Sequence, residues 1–194
     1  MLVLYDAGRC PYCARARIVL AEKGVDYAAE PIDLDDRPSW LYEKNPLGRV
    51  PVLEDDEVGL CLPESAVIME YLEERFPEPA LLPRALEERA RVRLRIFRFD
   101  RFSDPYYALR RGDETASADF TDRLEELEVF VRRDGYLGGR EYGLADIAYL
   151  PWIVRAQQRL GLDLDAYPAL ADWLARVAER PAVAAELELV AALG

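Results

Sequence analysis

The chain has 194 residues and a formal net charge of −12, with 51% hydrophobic and 32% charged residues. This composition is typical of a globular protein with room for one large core or two smaller ones, and the acidic balance argues against a nucleic-acid partner, which needs a basic surface. The chain contains no histidine, so Ser-His-Asp and Cys-His catalysis, H-E-x-x-H zinc sites and histidine-ligated haem are excluded.

The first motif lies between a predicted strand and a predicted helix. The apolar run Leu2–Tyr5 predicts the strand, and residues 11–24 predict the helix because small and apolar residues recur there at helical spacing. Between them the sequence reads Gly8-Arg9-Cys10-Pro11-Tyr12-Cys13. Proline is favoured at the first helical position, so Cys10 is expected at the helix N-terminus, where unpaired N–H groups and the helix dipole favour an anion. This setting lowers a thiol pKa from about 8.5 to roughly 3.5–7.5 and predicts a reactive thiolate.

The other two cysteines have several interpretations. Cys13 lies one helical turn after Cys10 and is close enough in sequence to form a disulfide with it. A C-x-x-C pair is also half of a zinc site, but the only further cysteine is Cys61, so we favour thiolate or redox chemistry and expect no metal. Cys61 falls in an apolar strand and is predicted to be a core residue.

The sequence also carries expectations about location. An odd count of three cysteines fits a reducing compartment, so we predict a cytoplasmic protein. The fold is expected to begin at Met1, without a targeting segment. No apolar run approaches the ~20 residues that span a membrane, so no membrane partner is expected.

The first half of the chain predicts an α/β unit. Its further elements are a strand over Tyr27–Ile32, a short helix over Ser39–Lys44, two short strands over Val50–Leu53 and Val58–Leu62, and a helix over residues 64–75. The turn Asn45-Pro46-Leu47-Gly48 precedes the two short strands. This alternation of strands and helices is typical of an α/β domain.

The second half predicts helices only. Three prolines within residues 76–83 predict a linker. Apolar residues then recur at helical spacing in four segments, marked by Leu86, Ala90, Leu94 and Phe97; by Phe120, Leu124, Leu127 and Val131; by residues 144–160; and by Leu170, Trp173, Leu174 and Val177. Residues 144–160 are apolar nearly all round and predict a buried central helix. The predicted domains are 1–76 and 84–194, with residues 77–83 as the linker.

Four segments in this order resemble the glutathione transferase superfamily over essentially the whole chain. They are the loop 45–53 with Val50-Pro51, the turn and helix 63–72 beginning Pro63-Glu64-Ser65, the segment Gly143-Leu144-Ala145-Asp146-Ile147-Ala148, and Tyr167-Pro168-Ala169-Leu170 with Trp173 and Arg180-Pro181. The resemblance implies a thioredoxin-like N-terminal domain and a helical C-terminal domain. It also implies a homodimer in which the N-terminal domain of one subunit meets the helical domain of the other.

The resemblance also implies a binding site for glutathione. A cis Val50-Pro51 bond would leave the Val50 backbone free to pair with the cysteinyl part of glutathione; the alternative is an ordinary turn at Pro51. Ser65 would bind the γ-glutamyl carboxylate at a helix start and Glu64 the ammonium group, unless both merely cap the helix. Arg37 stands where cysteine-type members often have a lysine facing the glycyl carboxylate; a solvated surface arginine is the alternative.

The reaction follows from the cysteine motif. Family members with cysteine at the end of the first strand, such as the omega class, resemble thiol transferases, and Cys10-Pro11-Tyr12-Cys13 is identical to the glutaredoxin motif. We therefore predict a glutathione-dependent thiol–disulfide oxidoreductase with Cys10 as an exposed nucleophile at the helix start. Cys13 is either the resolving thiol or a small buried residue.

Two other classes of function stay open. One is a glutathione S-transferase that conjugates small electrophiles, or a related dehalogenase or isomerase. The other is a non-catalytic protein, because the chain also resembles bacterial stringent starvation protein A, including its helix over Arg17–Gly24, and that protein binds RNA polymerase.

Two further groups of residues have competing interpretations. Tyr12, Phe102 and Tyr106 would line a cleft for the second substrate, but aromatic residues at helical spacing are more often core. The family's folding motif usually begins with Ser or Thr, whereas this chain has Gly143, which leaves Asp146 to bond back to the backbone. We expect Asp146 to be structural and the glycine to cost only a few tenths of a kcal/mol.

Overall fold

The computed structural model describes residues 1–193 and contains two compact units, one made of Met1–Pro79 with residues 181–193 and the other of Ala80–Arg180. The elements in chain order are β1 (Leu2–Asp6), α1 (Pro11–Glu22), β2 (Tyr27–Pro31), α2 (Leu41–Lys44), β3 (Val52–Asp55), β4 (Leu60–Pro63), α3 (Ser65–Arg75), α4 (Leu86–Phe97), α5 (Asp100–Arg110), α6 (Ser117–Asp134), α7 (Leu144–Leu160), α8 (Pro168–Ala178) and α9 (Pro181–Ala192). A short 3-10 turn, Glu114–Ala116, precedes α6.

A four-stranded sheet in the order β2-β1-β3-β4 organises the first unit. β1 runs parallel to β2, and the pairs β1–β3 and β3–β4 are antiparallel. Leu4, Ile18 and Leu72, from β1, α1 and α3, are fully buried, and α1 packs against α3. The mixed sheet with its helices confirms the predicted thioredoxin-like architecture.

The last helix belongs to the first unit, not to the predicted helical domain. α9 packs against α1, and it buries Val183, Glu186 and Val190. The predicted range 84–194 therefore joins two structural parts, because the helical pattern of residues 181–192 specifies a helix but not the surface that the helix covers.

The second unit is helical, with α7 at its centre. Every residue from Leu144 to Ala156 is buried, as the apolar pattern predicted. The ring of Phe99 lies 4.5 Å from the ring of Trp152 and 5.0 Å from that of Tyr149, between ring centres. No helix within residues 1–193 is long and apolar enough to cross a membrane.

The apolar stripe predicted for the first helix of this unit is exposed. Leu86, Leu94 and Phe97 have 77%, 46% and 83% of their surface exposed, whereas Val92 and Ile96 are buried. The predicted long helix is also divided, since α4 ends at Phe97 and α5 begins at Asp100. Spacing alone identified an apolar face, but the face that packs in this unit is the one with fewer apolar residues.

Cys61 is exposed, which corrects its assignment to the core. It lies in β4, the edge strand of the sheet, directly opposite Glu54 of β3. Side chains alternate between the faces of a strand, so the apolar neighbours of Cys61 in sequence say little about the face that it occupies.

Asp146 is the polar centre of the helical unit. Its carboxylate accepts hydrogen bonds from Gly143 N at 2.9 Å, Leu137 N at 2.8 Å and Trp173 Nε1 at 2.7 Å. Burial raises the pKa of the carboxyl to about 6, while these donors act in the opposite direction. The expected structural role, half of a capping box, is therefore present and reaches two further segments.

A steric constraint that the sequence does not show requires glycine at position 143. The carbonyl oxygen of Leu81 accepts a hydrogen bond from Leu144 N at 2.9 Å. A Cβ added to Gly143 would lie 2.2 Å from that same oxygen. Serine or threonine, the residues usual at this position in the family, would therefore displace the backbone of the segment before α4.

Replacing Gly143 with alanine is expected to lower the free energy of unfolding by about 1–3 kcal/mol, the usual effect of overpacking. Chemical denaturation of both proteins measures the difference. Gly138→Ala is the matched control, because a Cβ there would meet Ala145 and Val92 at 3.4 Å, an ordinary contact. Equal stability of the two variants would contradict the steric explanation.

Candidate active site

Cys10 lies at the start of α1, as predicted. It is the N-cap residue with extended backbone, and Pro11 occupies the first helical position. Its N–H donates to the carbonyl of Ala7 at 2.9 Å, and its own carbonyl accepts from Ala14 N at 3.1 Å. Only 9% of the residue is exposed, so the sulfur predicted as the nucleophile is nearly buried and not exposed as expected from the sequence.

Several groups lower the pKa of Cys10 to about 7. The largest contribution is a hydrogen bond from the Cys13 thiol, followed in the same direction by the backbone N–H groups of Cys13 and Tyr12 and by the charge of Arg17; burial acts against them. Burial, followed by the interaction with Cys10, raises the pKa of Cys13 well above its usual value. Near pH 7 about half of the Cys10 side chains are therefore ionised, while the Cys13 thiol stays protonated and donates to the thiolate.

The loop before β3 lies directly beside this sulfur. The Val50-Pro51 bond is cis, and Cys10 Sγ is 3.8 Å from the carbonyl oxygen of Val50. Asn45 holds the loop from inside, donating to Arg49 O at 2.9 Å and accepting from Leu47 N at 3.1 Å. The sequence identified this asparagine only as a turn residue.

Glu64 and Ser65 differ in their surroundings although they are adjacent. Glu64 is exposed, and within residues 1–193 it is the one non-glycine residue with a positive φ, at 75°. Ser65 is buried and accepts a hydrogen bond on Oγ from Arg15 Nη1 at 3.1 Å. Backbone strain of this kind costs about 1–3 kcal/mol and is found most often at functional sites.

Arg15 is a site residue that sequence reasoning missed. A charged side chain on a helix is usually exposed to solvent, but only 2% of Arg15 is exposed. Its guanidinium carbon is 5.4 Å from the ring centre of Tyr12, which is half-buried. Arg15 thus connects the cysteine motif to Ser65. The sequence shows an arginine at a polar position of the helix. Only the tertiary structure shows that this arginine is buried and not solvated.

The remaining predicted residues are not part of this group. Arg37 is exposed in the loop after β2 and, within residues 1–193, shares no hydrogen bond or ion pair with Cys10 or Ser65. Phe102 and Tyr106 are 2% and 0% exposed, so they form aromatic core within the helical unit and do not provide an open wall. Phe102 also contacts the 1160 Å³ cavity of that unit.

Comparison with known proteins shows the family. Residues 4–80 match the glutathione S-transferase N-terminal domain and residues 115–176 its C-terminal domain. The chain is 32% identical over 194 residues to pyrimidodiazepine synthase of Drosophila melanogaster, and 32% identical over 197 residues to glutathione S-transferase omega-1 of Sus scrofa; each match covers 95% of this chain and 80% of the relative. A stringent starvation protein A homolog of Pasteurella multocida is 36% identical over 179 residues, which cover 87% of this chain and 82% of the relative.

Solved structures agree with the sequence matches. Glutathione transferase F7 of Populus trichocarpa has a TM-score of 0.87 and 26% identity over 98% of this chain and 99% of its own. A glutathione S-transferase-I bound with lactoylglutathione has a TM-score of 0.85 and 26% identity over 97% of this chain and 99% of its own. The chain therefore belongs to the glutathione S-transferase family, whose co-substrate is glutathione. Among the described residues no group of acidic or cysteine side chains is arranged to hold a metal ion.

The role of the Cys13 thiol as a donor has a measurable consequence. In the native protein, the rate of Cys10 alkylation by iodoacetamide should rise with pH along a titration curve whose midpoint lies at about 7, the pKa of Cys10, and should level off about one to two pH units above it. Removing a hydrogen bond to a charged group costs about 1.5–3 kcal/mol, so Cys13→Ala should raise that midpoint by about 1 to 2 pH units. Cys13→Ser keeps an O–H donor and should shift it less. An unchanged midpoint in the alanine variant would contradict the donor role.

Proposed function

We propose that this protein is a glutathione-dependent thiol–disulfide oxidoreductase of the cytoplasm that uses the Cys10 thiolate. The observation that supports this most is the pair of cysteines at the start of α1. Cys10 has a pKa of about 7, and the Cys13 thiol donates a hydrogen bond to it. A thiolate with a pKa near the ambient pH combines a substantial ionised fraction with good nucleophilicity.

The reaction has two thiol–disulfide exchanges. In the first, the Cys10 thiolate attacks the glutathionyl sulfur of a mixed disulfide. A bond forms between Cys10 and glutathione, and the substrate leaves as a thiolate that takes a proton from solvent. In the second, the thiolate of another glutathione attacks the bound glutathionyl sulfur, which gives oxidised glutathione and restores the Cys10 thiolate. One glutathione thiol is oxidised for each mixed disulfide reduced, because the other half of the oxidised glutathione comes from the substrate, and no further electron donor is needed.

Cys13 supports the first step as a hydrogen-bond donor. Its high pKa and burial keep it protonated while Cys10 attacks. For disulfides of other proteins it would act as the resolving thiol: it would lose its proton and attack Cys10, releasing the second substrate sulfur as a thiol and leaving a Cys10–Cys13 disulfide for glutathione to reduce. The two roles use the same sulfur at different stages.

The glutathione site is proposed around the sulfur from the residues that the resemblance assigned. Val50 would pair through its backbone with the cysteinyl part, consistent with its carbonyl oxygen lying 3.8 Å from Cys10 Sγ. Ser65 and Glu64 would bind the γ-glutamyl group, and Arg37 the glycyl carboxylate. The positive φ of Glu64 supports its part, because a strained residue in an exposed position calls for a reason other than folding.

Glutathione conjugation is the second candidate, favoured by the omega-class relatives. It shares the glutathione site but would transfer glutathione to an electrophilic carbon. A third possibility is a binding role like that inferred from the stringent starvation protein A homologs. The low pKa of Cys10 favours chemistry at the protein sulfur over both.

Reduction of a small glutathione mixed disulfide tests the proposed function. The native protein should catalyse the reaction with glutathione as reductant, and Cys10→Ser should reduce turnover to the uncatalysed background, because the serine hydroxyl is not ionised near neutral pH. Cys61→Ser is the control and should keep full turnover, since partial desolvation beside β3 and the charge of Glu54 raise the pKa of Cys61 although the residue is exposed. Turnover by the Cys10→Ser variant, or none by the native protein, would contradict the proposal.

Substitution of Glu64 by glycine is expected to change the stability of the protein and its affinity for glutathione in opposite directions. Glu64→Gly removes the strained conformation of a residue with φ of 75° and should raise the free energy of unfolding by about 1 kcal/mol. It also removes the carboxylate and should weaken glutathione binding by about tenfold or more. Glu64→Gln should weaken binding without stabilising the protein. Native-like binding by both variants would show that Glu64 does not contact glutathione.

We also propose that the protein is a homodimer, as the family resemblance implies. Leu86, Leu94 and Phe97 form an exposed apolar stripe on α4. The first unit also exposes apolar side chains, among them Leu47 and Val67, at 59% and 50%. Apolar surface on both units matches a symmetric dimer in which each subunit contributes two different patches.

Phe97, at 83% exposure, gives the most direct test of the dimer. Phe97→Glu should place a charge in the interface and halve the mass measured by light scattering after size-exclusion chromatography. Phe97→Tyr keeps the ring and should leave the dimer intact. A native protein that is monomeric at micromolar concentration would overturn the proposal.

A further inference from the structure

A single guanidinium in the first unit joins three parts of the chain near the cysteine motif. Arg17 lies on α1, one turn after Cys13. Its Nη1 donates to Asp6 Oδ1 at 2.5 Å, where β1 ends. Its Nε and Nη2 donate to the two carboxylate oxygens of Glu186 in α9, each at 2.8 Å. The partner in α9 is 169 residues away in sequence.

The same guanidinium also reaches the backbone of the loop that carries Cys10. Nη1 is 3.4 Å from the carbonyl oxygen of Ala7, and Nη2 is 3.3 Å from that of Gly8. The Ala7 oxygen also accepts the hydrogen bond from Cys10 N at 2.9 Å. The acceptor that positions the Cys10 backbone is therefore also a partner of Arg17.

α9 and Leu193, which follows it, also lie close to this loop. The Leu193 and Leu189 side chains reach Gly8 so closely that an added Cβ there would lie 3.2 Å and 3.9 Å from their Cδ1 atoms. The Glu186 side chain is only 5% exposed and that of Arg17 11%. A buried ion pair with two parallel hydrogen bonds fixes orientation more strictly than a surface pair does.

We propose that Arg17 and Glu186 are positioning residues for the reaction of Cys10, through which the C-terminal helix α9 holds the loop 7–10 in its reactive geometry. This proposal rests on the proposed function only for the reaction that Cys10 performs. The positioning of the loop is a property of the protein without substrate. Removing the Arg17–Glu186 contact should loosen the loop, move Cys10 relative to its N–H donors and make its sulfur a poorer nucleophile near neutral pH.

Charge and position predict opposite results for Glu186, which makes the proposal testable. The ionisable groups that interact with Arg17 or its neighbours are Asp6, Cys10, Cys13, Tyr27 and Glu186. If Glu186 acted only through its charge, removing that negative charge would favour the Cys10 thiolate and speed its alkylation. If Glu186 acts by position, its loss should slow the alkylation.

The experiment measures Cys10 alkylation by iodoacetamide as a function of pH, in a Cys61→Ser background, with the modified residue identified by mass spectrometry. Glu186→Ala is expected to slow alkylation at pH 6 by about threefold to tenfold, because each unit of pKa changes the thiolate fraction tenfold below the midpoint. Arg17→Lys keeps the positive charge but loses the fork of donors, and should slow it similarly. Glu188→Ala, an exposed position on the same helix, is the matched control and should react at the native rate.

A conservative variant separates positioning from misfolding. Glu186→Gln keeps an oxygen that accepts from Arg17 and should retain most of the native rate, and far-UV circular dichroism verifies that each variant is folded. If Glu186→Ala does not fold, Arg17→Lys against Glu186→Gln gives the same comparison. Alkylation at the native rate or faster in folded Glu186→Ala and Arg17→Lys would overturn the proposal.

The alkylation assay does not depend on the proposed reaction. It uses neither glutathione nor a disulfide. A native protein without turnover would therefore contradict the proposed function, whereas the alkylation rates would still decide whether Arg17 and Glu186 position Cys10. Where turnover exists, the loss of kcat/KM in Arg17→Lys and Glu186→Ala should follow the loss of alkylation rate. KM for glutathione should stay near its native value, since neither residue belongs to the proposed glutathione site.

Discussion

The cost of holding a negative charge on a nearly buried sulfur is the constraint on which the first unit depends. Only 9% of Cys10 is exposed, and burial alone would raise the pKa of its thiol. The pKa instead falls to about 7, because the Cys13 thiol, two backbone N–H groups and the charge of Arg17 act together on the sulfur. Each of these groups is useful only if the start of α1 stays in place. Several tertiary contacts therefore hold the four-residue loop 7–10 in place.

Those contacts come from distant parts of the sequence. The loop before β3 places Val50 beside the sulfur, Arg15 ties the cysteine motif to the start of α3 through Ser65, and Arg17 ties it to α9 through Glu186. Each arginine lies on α1 and is oriented by that helix. The helix α1, which begins directly after Cys10 and carries Cys13, is thus both the source of the N-terminal field and the frame from which the site is supported.

Features with a local cause could be predicted from the sequence. The strand, proline and helix around Cys10 follow from short-range rules, as does the central helix α7, which is apolar nearly all round. The thioredoxin-like sheet was expected from the resemblance to the family. The residues that resemble the family assigned Val50, Glu64 and Ser65 to one site, and the structure shows the distinct backbone of Glu64. Arg15, Arg17 and Asn45 could not be recognised in advance, since a buried polar residue has the same sequence pattern as an exposed one.

The errors have the same origin. Cys61 lies among apolar residues but faces outward on an edge strand, and the stripe through Leu94 and Phe97 is apolar but exposed. The sequence pattern makes Gly143 a weak cap, whereas in the structure the Leu81 carbonyl occupies the space that a side chain would need. In each case the position of the residue is decided by whether a neighbour contacts it among the described residues. Sequence periodicity does not identify that neighbour.

Exposure and ionisation make opposite predictions about which cysteine reacts, and this contrast gives the most direct test. The protein is incubated with oxidised glutathione near pH 7, and the bound glutathionyl group is located by peptide mass spectrometry. A reaction governed by the thiolate predicts that the nearly buried Cys10 is modified first and that the exposed Cys61 lags behind. Modification of Cys61 ahead of Cys10 would contradict the central claim that the fold stabilises a reactive thiolate at the start of α1.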